Sequence, residues 1–554
     1  MASRHGRGGI SCVAVVLALA ACQGEPAPDA IFLGRFVTMD NSAPEVEALA
    51  VTDGRIVARG TTEEIVGLAG DETRHIEVPG VALPGWVDAH VHVAGLGEFL
   101  ETLNVQAQDL ESIRGKVAQA AASAPRGEWI VGRGWDEGFF LVKQDPTTAD
   151  LDPVSPDHPV ILSGIGGHSV WVNSKALELA GIDNATPDPP GGRIVRDADG
   201  RATGLLLETA EALVSSAMPD TLTPDVLERR MRAALQRYAR WGLTGVHDAG
   251  AGLAEIAVYK KLARSGELPV RVYAMAHGDV AVEHYLAAGP EIGLYEDRLT
   301  IRSFKITVDG ALGSRGAELS EPYSDAPDSK GLRQMQDDQL DAFMAKAKGA
   351  GFQVNAHVIG DLAVRRALDA VERNGYTKAD RFRLEHASMI APDDLPRFAA
   401  VGAVASMQPV FVGEYQRWGE NRVGTERAAW ILPFWDLLST GAVLASGTDF
   451  PASDSGDPRH TLYALVTRKG FDGLPEDGWF ADQRIDVETA LRTMSKGPAY
   501  AAFDEQNAGT LAVGRYADFT VLAADPRGAS PESLGSIEVL MTVVSGGVTF
   551  VTIQ

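Results

Sequence analysis

The sequence predicts an α/β protein: a (β/α)8 TIM barrel interrupted after its first strand by a large insertion, with a small β-sandwich domain built from both chain ends. Three observations predict it. Short alternating apolar segments stand at both ends of the 554 residues, apolar strand-like runs alternate with helical patterns in the middle, and those runs number eight.

At the N-terminal end the alternating segments are Ile31 to Thr38, Ala48 to Val51 and Arg55 to Arg59, and Asp53-Gly54 between the last two is a hairpin signal. Gly514 to Leu522, Val539 to Ser545 and Val548 to Ile553 match them at the other end. The eight middle runs are Val81 to His90, Thr244 to Asp248, Val270 to Ala276, Ile301 to Val308, Gln353 to His357, Phe382 to His386, Ala403 to Met407 and Ala442 to Asp449. Helical patterns such as Thr223 to Arg240 and Asp337 to Gly349 separate them, and eight is the number that closes a β/α barrel. About 150 residues lie between the first and second runs, far more than a βα connection needs. Glu98 to Met218 is therefore expected as an insertion with structure of its own, placed over the barrel mouth. This divides the chain into 31–80 and 506–554 for the sandwich and 81–505 for the barrel, with 98–218 inserted.

The first 30 residues read as targeting. Arg4 and Arg7 form a positive start, Ile10 to Ala21 is an apolar run of 12 residues, and Leu19-Ala20-Ala21-Cys22 matches the lipobox of bacterial lipoproteins. Twelve apolar residues fall short of the ~20 that span a bilayer, so 1–21 is expected to be a cleaved signal, with Cys22 lipidated and 22–30 a polar tether. Gln23 after the cysteine resembles outer-membrane sorting in Gram-negative cells, which implies an exported protein on the periplasmic face of that membrane. Lipid is the only membrane contact expected. The formal charge of −25 repels phosphate backbones and argues against nucleic-acid binding. Cys12 and Cys22 are the only cysteines, so a metal in the body of the chain would be held by histidine and carboxylate.

The first run ends Asp88-Ala89-His90-Val91-His92, and residues i and i+2 of a strand face the same way, so both imidazoles can bind one metal ion. Alone this pair is weak evidence. Lys305, His357, His386 and Asp449 lie at the ends of four further strands, the mouth where barrels gather their ligands and catalytic groups. His5, His75, His158, His284 and His460 fall in connecting or signal segments and read as ordinary, mostly solvated residues.

The motifs PGWVDAHVH, FKITVDGALGSR, NAHVIGD, RLEHAS and SGTDFP together resemble the amidohydrolase superfamily, and specifically its N-substituted formamide deformylase-like (YtcJ-like) branch. GRGWDEG at 132 to 138 and the segments from 147 to 182 and 191 to 208 extend the resemblance through the insertion. The resemblance implies a metal-dependent hydrolase of small-molecule amides with two divalent ions, commonly zinc. His90 and His92 would bind the first with Asp449, His357 and His386 the second, and Lys305 would bridge them as a carbamate formed with carbon dioxide. The alternative for Lys305 is a buried lysine paired with Asp309. His168 is read from the resemblance as a catalytic contact to substrate or transition state, while His247 and His277 are candidates to orient ligands or face the mouth, and Trp135, Asp136 and Arg315 to line the pocket.

The charges imply a mechanism. Two ions lower the pKa of a bridging water towards ~7 and polarise the carbonyl, and Asp449 passes the proton of the attacking hydroxide to the leaving nitrogen. Hydrolysis of a non-peptide amide or formamide bond fits this shuttle. An N-acyl amino acid hydrolase or peptidase would use the same site. A ring deaminase fits less well, because Gly360 and Asp361 stand where a His-x-x-Glu pattern after His357 needs glutamate. A lipid-anchored binding protein without activity would not need every ligand position filled.

Overall fold

The structure, a computed structural model, describes residues 26–106, 108–142, 144–219 and 222–552. The signal, Cys22 and the tether as far as residue 25 lie outside the described residues. The middle of the chain forms eight parallel strands: β1 (Trp86–Val91), β2 (Leu243–Ala251), β3 (Arg271–Ala276), β4 (Leu299–Thr307), β5 (Gln353–Val358), β6 (Arg383–His386), β7 (Val404–Met407) and β8 (Val443–Ser446). Each pairs with the next in sequence. The ring closes at the mouth, where the Asp449 N–H donates to the His90 carbonyl (2.7 Å) and Thr448 donates from its N–H and Oγ1 to the Asp88 carboxylate (3.0 and 2.7 Å).

Helices cover the barrel because their apolar faces recur at helical spacing. Helix α1 (Pro224–Arg240) starts at Thr223, whose side chain accepts from the Val226 N–H, with proline in the first turn, and buries Leu227, Met231, Leu235 and Tyr238 on one face. Helix α2 (Asp361–Arg373) does the same with Val364, Ala367, Leu368 and Val371. Each such large apolar side chain contributes roughly 1.5–3 kcal/mol when fully buried.

The run Val81 to His90 is not one strand. Arg74–Pro84 belongs to the sheet of the chain ends and β1 to the barrel, with Gly85 between them. A Cβ at Gly85 would lie 2.1 Å from Thr244 Oγ1, so only glycine lets the chain pass from one sheet to the other against β2.

The chain ends share one seven-stranded sheet, in the order Gly547–Val551, Val539–Val544, Phe519–Leu522, Arg74–Pro84, Ala30–Val37, Glu45–Thr52 and Arg55–Gly60. The sandwich takes the form of this sheet curled on itself. Its outer strand returns to the segment before Phe519, with the Ile56 N–H on Arg515 O and the Ala517 N–H on Gly54 O (both 2.9 Å), and Phe32 and Phe36 meet the Phe519 ring edge-on inside. Asp53 and Gly54 take positive φ (49° and 71°), as a tight hairpin turn requires. Arg271 of β3 pairs with Asp518 (2.6 Å) and ties this sheet to the barrel floor.

The inserted segment builds a six-stranded sheet ordered Gly192–Arg196, Ala202–Glu208, Ser169–Val172, Val160–Gly164, Ile130–Trp135 and Leu103–Asn104. Val105, Ile113, Val117, Leu151, Leu162 and Trp171 form its core. This sheet carries Arg133, His168 and Glu208 to the barrel mouth. Among the described residues no helix is long and apolar enough to cross a membrane.

Candidate metal centre and active site

A cavity of about 520 Å³ opens between the barrel mouth and the insertion, and His92, Lys305, His357, His386 and Asp449 lie in its floor. His90 and His92 come from the end of β1, and Asp449 from the turn after β8, the strand that closes against it. Ligand atoms of these three residues lie within 4.8 Å of one another. Asp449 Oδ1 is 3.0 Å from His92 Nε2 and 3.3 Å from His90 Nε2, yet it is buried and receives no hydrogen bond. A buried carboxylate oxygen without a hydrogen-bond partner, with two imidazole nitrogens converging on it, suits a shared cation.

The partners on the far side of each ring decide which nitrogen is free. Glu385 Oε2 lies 2.6 Å from His90 Nδ1, both side chains having no exposed surface, so the His90 Nδ1–H is taken and Nε2 is left facing the centre. Gln408 Oε1 accepts from His386 Nδ1 (2.9 Å), and the Gln408 amide is itself fixed by donating to Ser406 O (3.0 Å). Such outer partners orient a ligand and raise its basicity. Glu385→Gln is therefore expected to weaken metal binding about 10- to 100-fold, read from metal content against a graded chelator. Unchanged affinity in a folded Glu385→Gln protein would mean that Glu385 only balances Arg383, whose Nε is 2.8 Å from Glu385 Oε1.

His357 and His386 adjoin the trio, with ring centroids 4.4 Å apart and His386 4.7 Å from His90. Burial, followed by neighbouring cations, holds His357 well below the usual histidine range, and burial with His90 and Lys305 does so for His386 against the pull of Asp449. Neutral imidazoles are the form that ligates. His357 Nε2 is buried without a hydrogen-bond partner, a second open donor. Burial pushes Asp449 up, but His90 and His92 outweigh it and hold the carboxyl well below its usual range. His386 (φ 70°) and Asp449 (φ 63°) both take left-handed backbone, uncommon outside glycine and concentrated at functional sites.

Lys305 is 7% exposed, with Nζ 3.5 Å from His90 Nε2. Its pairing with Asp309 does not occur. Asp309 instead accepts three backbone N–H groups, from Glu318, Ile359 and Gly360 (2.8 to 2.9 Å), and joins the β4 and β5 ends. Burial lowers the Lys305 pKa against the pull of Glu385 and Asp449.

His168 stands over this floor, 5.6 Å from His357 between ring centroids, with Nδ1 2.8 Å from Glu208 Oε2. Burial would lower its pKa, but Glu208 raises it on balance. His277 lines the cavity and its Nδ1 bonds the Lys305 carbonyl (3.1 Å). His247 does not face the mouth. It lies within the barrel beneath the centre, with Nδ1 accepting from Arg383 (3.1 Å) and its ring 5.1 Å from Tyr273. Trp135, Asp136 and Arg315 line the cavity, and all three are engaged: the Trp135 indole donates to Leu162 O, Asp136 pairs with Arg417 and Arg315 with Asp325. His158, expected to be solvated, is buried with Nδ1 on Glu128 O (3.0 Å), since the insertion folds around it.

Sequence reasoning missed Glu385, Arg383, Gln408 and Glu208. A signal existed for the first two: Arg383-Leu384-Glu385-His386 is a wholly buried strand with two charges, which only mutual pairing and a site could satisfy.

The amidohydrolase family matches residues 80–550. The Bacillus subtilis protein YtcJ is 33% identical over 530 residues, covering 94% of this chain and 99% of that one. N-substituted formamide deformylase of Arthrobacter pascens is 27% identical over 533 residues, 92% of this chain and 96% of its own. Among solved structures, an uncharacterized metal-dependent hydrolase from Pyrococcus horikoshii OT3 superposes with a TM-score of 0.73 at 28% identity, over 91% of this chain and 99% of that one. With the barrel, the converging donors at its mouth and these relatives in agreement, the chain is a metal-dependent hydrolase and belongs to the amidohydrolase family.

Proposed function

We propose that this hydrolase cleaves a carbon–nitrogen bond other than a peptide bond, an amide or formamide of a small molecule, with Asp449 as the proton shuttle. One observation carries the reading: Asp449 is an ionised, buried carboxylate whose Oδ1 faces the centre without a hydrogen bond. Two divalent ions, zinc being suited to the histidine and carboxylate donors, when bound supply Lewis acidity that acidifies water and polarises the substrate carbonyl. His90, His92 and Asp449 would hold one ion, and His357, His386 and a carbamate on Lys305 would complete the second site.

Asp449 accepts the proton of the attacking water and returns it to the leaving nitrogen, which cannot depart as an anion. His168, braced by Glu208 and lining the cavity, would steady the developing negative charge on the carbonyl oxygen. The resemblance to N-substituted formamide deformylase supports the choice of bond. A screen of formamides, N-acyl amines and activated esters with the metal-loaded protein tests it. Turnover of esters alone would overturn the amide assignment.

The reading also places the enzyme at a membrane surface through lipid on Cys22. Cys22→Ser is expected to release the protein from the membrane fraction, because the acyl chains are the only anchor proposed. Attachment that persists in Cys22→Ser would sink the lipoprotein assignment.

A further inference from the structure

Arg133 leaves the strand Ile130–Trp135 of the insertion and lines the cavity beside the metal centre. Its Nε donates to Pro451 O (3.1 Å) and its Nη2 to Ile165 O (3.3 Å), so two of the five N–H groups of the guanidinium are engaged, and only by neutral carbonyls. Three other arginines near this wall are paired with carboxylates. Arg417 holds Asp136 and Asp454 (2.6 and 3.0 Å), Arg422 holds Glu137 and Asp325 (3.0 and 2.6 Å), and Arg315 also holds Asp325 (3.0 Å). Among the described residues no carboxylate lies within ion-pair distance of Arg133.

The acidic groups that act on it from further away do not neutralise it. Burial pushes the Glu211 carboxyl up to about 8, so that group is mostly uncharged at neutral pH, Asp449 lies against His90 and His92, and Glu98 is exposed and pairs with Arg230 (3.5 Å). Arg193, which also lines the cavity with no carboxylate in ion-pair distance among the described residues, is exposed at the rim, as is Asp145, and water screens both there.

Room is left beside the guanidinium. Gly166 has nothing within 4 Å of where a Cβ would stand, and a Cβ at Gly167 (φ 71°) would come within 3.1 Å of Arg133 Nη2. This turn leads directly to His168, and Pro451 follows Asp449 by two residues, so the free N–H groups and the reacting centre share one wall.

We propose that Arg133 binds a carboxylate of the substrate, so that the preferred amides carry a carboxylate a few bonds from the scissile C–N bond, as N-formyl and N-acyl amino acids do. This rests on the amide-hydrolase reading for the bond, but not for the contact. A guanidinium is shaped for planar, charge-assisted recognition of a carboxylate.

The test uses two compounds that differ only in the carboxylate, N-formylphenylalanine and N-formylphenethylamine. They are titrated by calorimetry into the metal-loaded full chain carrying Asp449→Asn, where turnover is slowed. The carboxylate compound is expected to bind about 10- to 100-fold more tightly. Adding Arg133→Met should collapse that ratio towards one, and Arg133→Lys should regain part of it. If Arg133→Met is recovered unfolded, Arg133→Gln, which keeps amide donors for the two carbonyls, replaces it. A ratio near one before Arg133 is changed, or a ratio untouched by its loss, overturns the proposal, the second because the ions alone would then read the carboxylate. Turnover with unmodified Asp449 separates the two readings: cleavage of both compounds with a binding ratio near one removes only the carboxylate contact. An intact, Arg133-dependent ratio with cleavage of neither formamide removes only the bond assignment.

Discussion

Asp449→Asn is expected to retain much of its metal and lose about 10²- to 10⁴-fold in kcat on amides, the range that a positioned general acid–base supplies. The asparagine side-chain oxygen can still meet the cation that His90 and His92 share with Asp449 Oδ1, so the structural part of the role survives. The proton-carrying part does not, because an amide is not basic. Esters of activated phenols provide the control. A phenoxide departs without full protonation, whereas an amine does not, so the loss on such esters should be much smaller. Steady-state kinetics on a matched amide and ester, with metal content measured on the same samples, checks this. Equal losses with metal retained would confine Asp449 to the attacking water. The leaving-group proton would then come from His168, whose Glu208 partner favours the protonated ring. His247 is no substitute, since Arg383 occupies its Nδ1 beneath the centre.

Why the sequence showed these residues and not their partners has a physical reason. His90, His92, Lys305, His357, His386 and Asp449 each lie within three residues of a strand's C-terminal end, and such ends are marked in sequence by an apolar run stopping at a polar side chain. Glu385 and His90 meet only because β6 and β1 face each other across the barrel, 295 residues apart in sequence. No local pattern encodes that meeting. The break at Gly85 was hidden for a different cause: apolar residues continue on both sides, and the reason for the glycine is a close approach to Thr244 on another strand. Arg133 and Glu208 escaped notice because the insertion presents them from turns and strand ends whose direction depends on its own six-stranded sheet. Local alternation did suffice at the chain ends, where Asp53-Gly54 makes the turn it signals. It also pointed to one domain built from both ends, but not to which strands meet there, because pairing Arg74–Pro84 with Phe519–Leu522 is a long-range event.

Lys305→Ala is expected to lower bound metal from about two ions per chain to about one or fewer, and to remove nearly all turnover. A lysine ammonium cannot ligate, and this one has no carboxylate within ion-pair distance among the described residues to explain its burial. Burial favours the neutral amine, opposed by Glu385 and Asp449. The neutral amine is the form whose lone pair can attack carbon dioxide, forming an N–C bond and releasing one proton to leave a carbamate anion. That anion supplies two oxygens where the free side chain supplies one nitrogen, and it puts a negative charge among His90, His357 and His386 where the neutral amine had none. Two measurements follow. Metal-stripped protein reloaded with zinc should reach two ions only when bicarbonate is present. Lys305→Ala should regain part of its second ion and its activity when a short carboxylic acid such as acetate or propionate is added, because the acid can occupy the space left by the side chain. Full loading without bicarbonate, together with one ion that survives the loss of Lys305, would make the centre mononuclear. His357 would then be free to act on the substrate rather than on a metal, and its partnerless Nε2 would be the atom to follow by its protonation state in ligand complexes.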